Sequence, residues 1–193
     1  MIQISQVYAN DSNSLKFIER IYTESFPPDE RRDFSDVIRL LEENDDFFIV
    51  LLSDENKAVG FISYWEWNDF SYVEHFAVDS SCRGSGYGAT AMTELLKLIN
   101  NPAVLEVEKP LDDISQRRIR FYERLGFVLC TRPYTQPPYS PEKQPLELYL
   151  MSFGKIDLNQ VFDTVASRIH QKVYGVESVS YTHLRAHETR SNL

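Results

Sequence analysis

The sequence predicts a single α/β domain in which helices flank one central sheet, and three observations support this prediction. First, 193 residues with 42% hydrophobic side chains are enough for one compact domain with a core. Second, segments with the composition of strands recur between segments with helical periodicity. Third, an apolar strand that ends at Val78 passes through a short polar loop and three glycines into a helix.

The N-terminal region predicts one strand followed by two helices. Residues 2–7 indicate the strand, and the polar residues 11–14 suit the start of the first helix. The prolines at 27–28 end this helix, and a second helix begins near Asp29. The apolar stripes of the two helices are Leu15, Ile18 and Tyr22, and Phe34, Val37, Ile38 and Leu41. The charged run 30–33 is either a solvated first turn or part of a loop that rims a substrate entrance.

The middle and C-terminal parts of the chain continue this alternation of strands and helices. Apolar content and turn residues indicate strands at Phe47–Leu52, Val59–Trp65, Phe70–Val78, Ala103–Glu108, Phe127–Thr131 and Leu146–Phe153. A helix with the stripe Met92, Leu95, Leu96 and Ile99 follows the glycines, and another spans Asp113–Leu125 until Gly126 stops it. A last amphipathic helix starts with Asp157 and Gln160 in capping-box spacing and carries Val161, Val165 and Ile169.

The glycine-rich loop after Val78 has the composition of an anion-binding cradle. Glycine accepts positive φ, which lets successive backbone N–H groups turn toward one point. The first turn of the following helix adds its own unpaired N–H groups and the positive end of its dipole. The residues predicted to bind the anion are Arg83, Gly84, Ser85, Gly86, Tyr87, Gly88 and Ala89. A diphosphate is the predicted ligand.

Two diphosphate cofactors fit such a loop. The Rossmann pattern G-x-G-x-x-G/A runs through Gly84, Gly86 and Ala89, with Glu108 about 20 residues further on. However, five residues separate the loop from the end of its strand, and no second βαβ half follows. An ordinary glycine-rich turn without a ligand is a third interpretation.

The other pattern is Arg/Gln-x-x-Gly-x-Gly/Ala after a strand that ends in Val-Asp. Arg83, Gly86 and Gly88 meet it. This loop resembles the acetyl-CoA pyrophosphate loop of the GCN5-related N-acetyltransferase (GNAT) superfamily. The order of elements over residues 1–154 is also similar to that of the whole GNAT fold. The resemblance implies a mixed, mostly antiparallel sheet of about six to seven strands flanked by helices.

The remaining C-terminal residues are expected to lie outside this domain. Residues 155–178 predict a C-terminal amphipathic helix that packs on it. Within 179–193, the run VSYTHLRAHET equals one reading frame of a common sequencing adapter, so we expect an adapter-derived or cloning tail. Its two histidines are therefore not counted as metal ligands, and no metal site is predicted.

A second motif extends the resemblance to the predicted helix before Gly126. The run RRIRFYERLGF resembles the family's helix that ends in Tyr-x-x-x-Gly-Phe. This implies that Tyr122 lies near the coenzyme sulfur and protonates the leaving thiolate, since its ordinary pKa near 10 is close to that of a thiol. Ser115 stands where the family often has asparagine, and it is expected to contact the coenzyme; Arg118 replaces a usual small residue. The resemblance also implies that backbone N–H groups of Phe76, Ala77 and Val78 hold the thioester carbonyl.

The general base has two candidates on the strand before the glycine loop. An ammonium group must lose a proton before it attacks a thioester, and Glu74 lies beside the expected carbonyl site. Strict alternation places Glu74 on one face with Tyr72 and Phe76, and His75 on the other. Only one of Glu74 and His75 can then face the cleft unless the strand bulges. A buried structural histidine is the alternative for His75.

Several other residues are candidates for the acceptor site. Glu106 and Glu108 share one face of their strand and either bind a cationic amine or form a polar sheet face. Tyr134, Gln136 and Tyr139 lie in a proline-rich segment, which either lines a substrate wall or forms a rigid surface loop.

Composition limits the partners. An excess of acidic over basic residues, 29 to 20, argues against nucleic acid or an anionic membrane and favours a cationic substrate. No transmembrane segment or signal peptide is predicted. The two cysteines, Cys82 and Cys130, indicate a reducing cytoplasm. A homodimer remains open.

Taken with the resemblance, these residues predict an acetyl-CoA-dependent N-acetyltransferase. It would move an acetyl group to a primary amine of a small molecule or peptide by direct transfer in a ternary complex. The alternative is a catalytically inactive CoA-binding or regulatory module with the same fold.

Overall fold

The computed structural model describes residues 2–176, which form one seven-stranded sheet flanked by five helices. In chain order the elements are β1 (Gln3–Val7), α1 (Ser12–Ser25), α2 (Phe34–Glu43), β2 (Phe47–Asp54), β3 (Lys57–Glu66), β4 (Ser71–Val78), α3 (Tyr87–Leu98), β5 (Ala103–Glu108), α4 (Asp113–Arg124), β6 (Val128–Gln136), β7 (Leu146–Phe153) and α5 (Leu158–Val173). The predicted tail 179–193 and the last residues of the segment 155–178 lie outside the described residues.

The sheet confirms the expected mixed, mostly antiparallel arrangement. Its strands lie in the order β1-β2-β3-β4-β5-β7-β6, and only β4 and β5 are parallel neighbours. Their pairing is short, because it joins Ser71–Val73 to Ala103–Leu105 and goes no further within the described chain. The two strands therefore separate toward their carboxyl ends and leave a wedge-shaped opening in the middle of the sheet.

Two hydrophobic layers cover the faces of the sheet. Helices α1, α2 and α5 pack on one face, where Tyr22, Trp65 and Ile169 are buried. Helices α3 and α4 pack on the other face, where Met92 and Ile119 are buried. This burial of apolar surface is the main favourable contribution to the stability of the fold. Among the helices of residues 2–176, none is both long and apolar enough to cross a membrane.

The second helix starts later than the sequence predicts. It begins at Phe34 and not near Asp29, because residues 28–30 form a separate short 3₁₀ turn and Arg31 is extended. Long-range hydrogen bonds hold the loop before this helix. The backbone carbonyl of Glu30 accepts a hydrogen bond from His75, and that of Arg31 accepts one from Lys143. These long-range contacts override the local helical pattern.

Strand β6 is longer than predicted and continues through Pro133 to Gln136, whereas the sequence suggested an end at Thr131. Proline is tolerated there because β6 is the last strand of the sheet, so one side of it needs no ladder hydrogen bonds. A register shift between Cys130 and Tyr134 accommodates the ring.

Helix α5 lies on the face of α1 and α2 with a buried side that differs from the predicted one. Val161 is 38% exposed, whereas Phe162, Val165 and Ile169 are buried. Successive steps of four residues drift around a helix that has 3.6 residues per turn, so Val161 leaves the stripe. At the other end, the hydroxyl of Tyr174 reaches the side chains of Tyr72 and Glu106.

Candidate active site

A cleft of about 750 Å³, partly open to solvent, occupies the opening between β4 and β5. Its lining includes Phe76, Ala77 and Val78 of β4, Leu105 and Glu106 of β5, Arg118 and Tyr122 of α4, and Arg83 of the glycine loop. Five residues predicted to contact a cofactor therefore line one cleft. Beyond Val73, β4 has no strand partner on this side in the described chain, which leaves backbone groups available to a ligand.

The glycine loop lies at one end of this cleft and has the geometry of an anion cradle. Gly84 and Gly86 have φ of 84° and 78°, and Gly86 is the N-cap of α3. A Cβ added at either glycine would meet no atom within 4 Å, so the space beside them is open. The backbone N–H groups from Gly84 to Ala89 have no acceptor within residues 2–176. These features fit a bound diphosphate.

The other predicted residues of the loop have different surroundings. Gly88 is helical, without positive φ, and a Cβ there would touch the rings of Phe76 and Phe121 at 3.5 Å. The side chain of Tyr87 turns away from the loop and donates to Asp54 Oδ2 at 2.7 Å. Ser85 and Ala89 are exposed. The phenol of Tyr87 is therefore engaged outside the loop, and Gly88 and Ala89 can contribute only their backbone N–H groups.

Asp79 and Arg20 fix the approach to the loop. Asp79 accepts hydrogen bonds from the backbone N–H and hydroxyl of Ser81, at 2.9 and 2.7 Å, and caps the short turn after β4. Arg20 of α1 donates to its other oxygen at 2.6 Å. The hydrogen bond from Arg20, followed by those from Ser81, lowers the pKa of Asp79. The ionised carboxylate thus ties the loop to α1.

Tyr122 is buried in the wall of the cleft. Its ring meets Phe121 and Phe127 edge to face, with centroids 5.1 and 5.5 Å apart. Its hydroxyl has no hydrogen-bond partner within the part of the chain that the structure describes. Burial raises its pKa to about 12, against the opposing effect of Arg118. The hydroxyl therefore stays protonated at neutral pH, and the pKa match with a thiol expected from the sequence does not hold.

Ser115 does not line the cleft. Its backbone N–H donates to Asp112 Oδ1 at 2.7 Å, and its hydroxyl accepts from the Asp112 backbone N–H at 3.2 Å. These are the two hydrogen bonds of a capping box at the start of α4. The Ser115 hydroxyl, which the sequence analysis expected to contact the coenzyme, is therefore engaged in the helix cap.

A bulge in β4 brings Glu74 and His75 to the same face of the sheet. Ser63 pairs with His75 and Tyr64 with Val73, so Glu74 is the extra residue. Both side chains contact the α1, α2 and α5 side, where Glu74 meets Trp65 and His75 meets Tyr22. Phe76 packs on the opposite face, so the strict alternation that grouped it with Glu74 is wrong.

The carboxylate of Glu74 is held by three donors. Trp65 Nε1 donates to Oε2 at 2.7 Å, and Tyr139 Oη and Arg32 Nη2 donate to Oε1 at 2.9 and 3.0 Å. The Glu74 side chain is 1% exposed. Burial alone would favour the neutral acid, but the charge of Arg32 and these hydrogen bonds outweigh it and lower the pKa of Glu74. Glu74 is therefore a stable anion in a closed network.

Arg32 is the main residue of this network that the sequence analysis missed. It lies in the charged run after the prolines, yet only 13% of its side chain is exposed. Besides Glu74, it donates to the Val173 carbonyl at 2.7 Å, and its guanidinium lies 4.6 Å from the centre of the Tyr139 ring. Of the two interpretations of residues 30–33, a loop at the rim of a substrate entrance therefore agrees better with the structure than a solvated first turn.

His75 is a buried histidine with both ring nitrogens engaged. Nε2 donates to the Glu30 carbonyl at 3.0 Å, which leaves Nδ1 to accept from the Ser63 hydroxyl at 3.4 Å. Tyr22 and Phe26 pack edge-on against the ring. Burial lowers its pKa, so the ring is neutral at physiological pH. These contacts favour the structural interpretation of His75.

A second cavity, partly open to solvent, adjoins the cleft; we call it the acceptor cavity. It is lined by Phe26, Glu30, Glu74, His75, Glu106, Val107, Glu108, Arg118, Gln136, Tyr139, Leu146 and Leu148. Phe26, Glu74, Glu106 and Arg118 also line the cleft, so the two spaces meet at these residues. The lining of this cavity thus contains four carboxyl groups but only one guanidinium, that of Arg118. This guanidinium is already paired with Glu108.

Glu106 lies at this junction inside a group of tyrosines. Tyr134 Oη donates to Oε1 at 2.5 Å and Tyr174 Oη to Oε2 at 3.1 Å. Burial raises the pKa of Glu106 to about 7, although the hydrogen bonds from the tyrosines oppose this. Tyr134 therefore stands behind Glu106, whereas Tyr139 lines the cavity itself. Tyr174, at the end of α5, had no signal in the sequence that linked it to the site.

The ion pair of Arg32 and Glu74 gives a stability prediction. Arg32→Met leaves a buried carboxylate without its countercharge, and we expect a loss of about 3–5 kcal/mol in unfolding free energy. For a chain of this size that lowers Tm by roughly 6–20 °C, measurable by calorimetry. Because the pKa of Glu74 is lowered, this contribution is present above the ordinary carboxyl value and is lost in acid.

Two variants serve as controls for this prediction. Arg39→Met breaks the exposed pair with Asp36 and should change stability by less than about 1 kcal/mol. The double variant Arg32→Met/Glu74→Gln should recover part of the loss, because it removes the buried charge. A single Arg32→Met variant as stable as the unmodified protein would show that the network does not support the fold.

Comparisons with known proteins agree with this geometry. The model of the acetyltransferase (GNAT) family matches residues 15–127, more than half of the chain. A similar solved structure, from Bacteroides thetaiotaomicron, is described as an acetyltransferase of the GNAT family. It is 35% identical with a TM-score of 0.87, and the match covers 91% of this chain and 99% of that one. A comparison with curated proteins gives no significant match.

More distant structures share the fold. The ribosomal-protein-S18-alanine N-acetyltransferase of Escherichia coli is 20% identical, with a TM-score of 0.59 over 79% of this chain and 93% of that one. Arabidopsis thaliana NAA60 in complex with acetyl-CoA is 17% identical, with a TM-score of 0.60 over 79% and 98%. The loop, the cleft, the family match and the Bacteroides structure lead to one conclusion: this chain belongs to the GNAT family of acetyltransferases, whose members use acetyl-CoA.

Proposed function

We propose that this protein transfers the acetyl group of acetyl-CoA directly to a primary amine of a small molecule or a peptide. The observation that carries the proposal is the junction of two cavities at Glu74 and Glu106. The cleft beside the glycine loop suits the coenzyme, and the acceptor cavity carries an excess of carboxyl groups that suits a cationic amine. Direct transfer needs both substrates side by side, which this arrangement allows.

The residues of the cleft have separate roles in this proposal. When bound, acetyl-CoA supplies an activated acetyl thioester. The backbone N–H groups of Gly84–Ala89 hold its diphosphate, and those of Phe76–Val78 polarise the thioester carbonyl. Tyr122 keeps a proton on its hydroxyl and provides it to the sulfur of the leaving group.

Of the two buried carboxylates, Glu106 is better suited than Glu74 to take the amine proton. Glu74 is engaged by three donors, and its pKa is lowered, so it binds a proton weakly. The pKa of Glu106 is about 7, close to the value at which a general base works best near neutral pH. Glu74 then supplies negative charge that attracts the amine and keeps Arg32 and Tyr139 in place.

The pH dependence of two variants tests this assignment. Glu106→Gln should lower kcat/KM by about 10²-fold at neutral pH. The defect should shrink as the pH approaches the amine pKa near 10, where the free amine needs no base. The unmodified enzyme should lose activity below about pH 7, because Glu106 becomes protonated. Initial rates across the pH range, measured by release of free thiol, provide the test.

Glu74→Gln is the comparison in this experiment. If Glu74 only positions its neighbours, its defect should be similar at every pH. A Glu74→Gln defect that fades at high pH, together with a pH-independent Glu106→Gln defect, would reverse the two roles. Glu108→Gln, on the same strand and paired with Arg118, controls for loss of a negative charge near the cavity.

A panel of amines and peptides tests the proposed activity itself. We expect at least one primary amine to release CoA from acetyl-CoA and to gain an acetyl group, detected by mass. Binding of acetyl-CoA without any CoA release across a broad panel would instead indicate a binding or regulatory module.

A further inference from the structure

Gln136 has an unpaired side-chain amide in the wall of the acceptor cavity. It is the last residue of β6, its side chain lines the cavity, and the residue is only 5% exposed. Its Nε2 is buried and has no hydrogen-bond partner within residues 2–176. A buried amide without a partner is destabilising, since it has lost its hydrogen bonds to water. In the wall of a binding cavity, such an amide is expected to form a hydrogen bond with a bound ligand.

Other unpaired buried groups do not share this position. Arg32, Trp67 and Ser71 also bury a side-chain polar atom that has no partner in residues 2–176. None of these three lines the acceptor cavity, whereas Gln136 does. The unpaired amide is therefore associated with the substrate site and is not a general feature of the core.

The position of Gln136 in the sheet separates it from the junction with the cleft. Glu106 is on β5 and Gln136 on β6, and β7 lies between these strands. The register places Glu106 opposite Leu150 and Gln136 opposite Leu146. Two strand spacings across the sheet and the four-residue step from Leu146 to Leu150 along it therefore separate the backbones of Glu106 and Gln136 by roughly 16 Å. Leu146, which pairs with Gln136, and Leu148 line the space near it. One acceptor molecule can thus place an amine near Glu106, apolar carbons against the leucines and a second group at Gln136.

Charge decides what this second group is. Glu30, Glu74, Glu106 and Glu108 line the cavity, so a carboxylate on the acceptor would be repelled. A second ammonium group carries only hydrogen-bond donors, so it would leave the Nε2 donor of Gln136 without a partner. An amide offers one acceptor and two donors without net charge, and it pairs best with another uncharged polar group.

We propose that the acceptor is a primary amine with a second, uncharged hydrogen-bonding group, an amide or a hydroxyl, a few carbons away, and that Gln136 binds this group. The inference rests on the proposed function, because it takes this cavity as the acceptor site. Gln136 is then a residue that determines specificity and has no part in the chemistry of transfer.

Binding of four related amines to the protein saturated with CoA tests the inference. The probes are γ-aminobutyramide, n-pentylamine, γ-aminobutyrate and putrescine, and the readout is the Kd from calorimetry. We expect γ-aminobutyramide to bind at least about 10-fold more tightly than n-pentylamine, since one good hydrogen bond in a buried site contributes about that factor. γ-Aminobutyrate should bind most weakly.

Two variants at Gln136 connect the preference to this side chain. Gln136→Met has a similar shape without polar atoms, so it should reduce the preference to within about 2-fold without lowering Tm. Gln136→Glu should shift the preference to putrescine by adding a negative charge. Gln116→Met, on α4 and outside the lining of both the cleft and the acceptor cavity, should leave all four Kd values unchanged.

The outcomes separate this inference from the proposed function. Equal binding of γ-aminobutyramide and n-pentylamine, tightest binding of putrescine by the unmodified protein, an unchanged preference in Gln136→Met, or no binding of any probe would each overturn the inference. CoA release with the same amines is measured separately. Selective binding without any CoA release would support the role of Gln136 and contradict acetyl transfer.

Discussion

Gly86→Asp is expected to remove measurable binding of acetyl-CoA while the protein stays folded. The added side chain enters open space, so no protein atom is displaced. Its carboxylate, however, stands at the N-cap of α3, where the unpaired N–H groups would hold a diphosphate. Like charges at this distance repel strongly in a partly enclosed cleft. Calorimetric titration with acetyl-CoA and a thermal melt measure the two parts of this prediction.

Two further variants, one at Gly86 and one at Gly88, separate the effect of the added charge from that of backbone strain. Gly86→Asn has the same size and the same tolerance of positive φ but no charge, so it should bind acetyl-CoA more tightly than Gly86→Asp. Gly88→Asp adds the charge at a helical residue without positive φ, where the Cβ would lie in ordinary van der Waals contact with Phe76 and Phe121. If folded Gly86→Asp keeps its affinity for acetyl-CoA, the diphosphate does not bind at this loop.

Tyr122→Phe is expected to lower kcat by about 10²-fold while the affinity for acetyl-CoA barely changes. The variant keeps the ring and its edge-to-face contacts with Phe121 and Phe127. It removes only a hydroxyl that has no partner in residues 2–176, so the loss falls on the chemical step. Steady-state kinetics and a calorimetric Kd, each measured for both proteins, test the prediction.

A second buried tyrosine provides the control for this substitution. The pKa of Tyr64 is also raised to about 12 by burial, but its side chain lines neither the cleft nor the acceptor cavity. Tyr64→Phe should therefore keep full kcat. A burst experiment must first show that chemistry limits turnover, since slow product release would hide the effect. Full kcat in Tyr122→Phe under that condition would remove Tyr122 from the mechanism.

Local patterns in the sequence were sufficient for the order of strands and helices and for the geometry of the glycine loop, whereas the resemblance supplied the arrangement of the sheet. The glycines, the strand before them and the helix after them are neighbours in the chain, so their geometry depends on short-range backbone preferences. Gly84 and Gly86 have the positive φ that the pattern requires. The order of strands and helices followed from periodicity in the same way.

The surroundings of Glu74 and Glu106 could not be predicted in this manner, because distant residues form them. Arg32 looks like a surface cation in its local run, and only the fold brings it to Glu74, 42 residues away. Tyr174 likewise reaches Glu106 across 68 residues. The bulge at Glu74 depends on its pairing with β3, and alternation along one strand cannot show it.

We expect the acetyl group to pass directly from acetyl-CoA to an amine where the two cavities meet. The most direct measurement is mass spectrometry of protein and small molecules after incubation with acetyl-CoA and a mixture of primary amines. Direct transfer should give an acetylated amine and free CoA in equal amounts, with the mass of the protein unchanged at every time point. An acetyl group that appears first on the protein and then on the amine, or bound acetyl-CoA that no amine consumes, would contradict it.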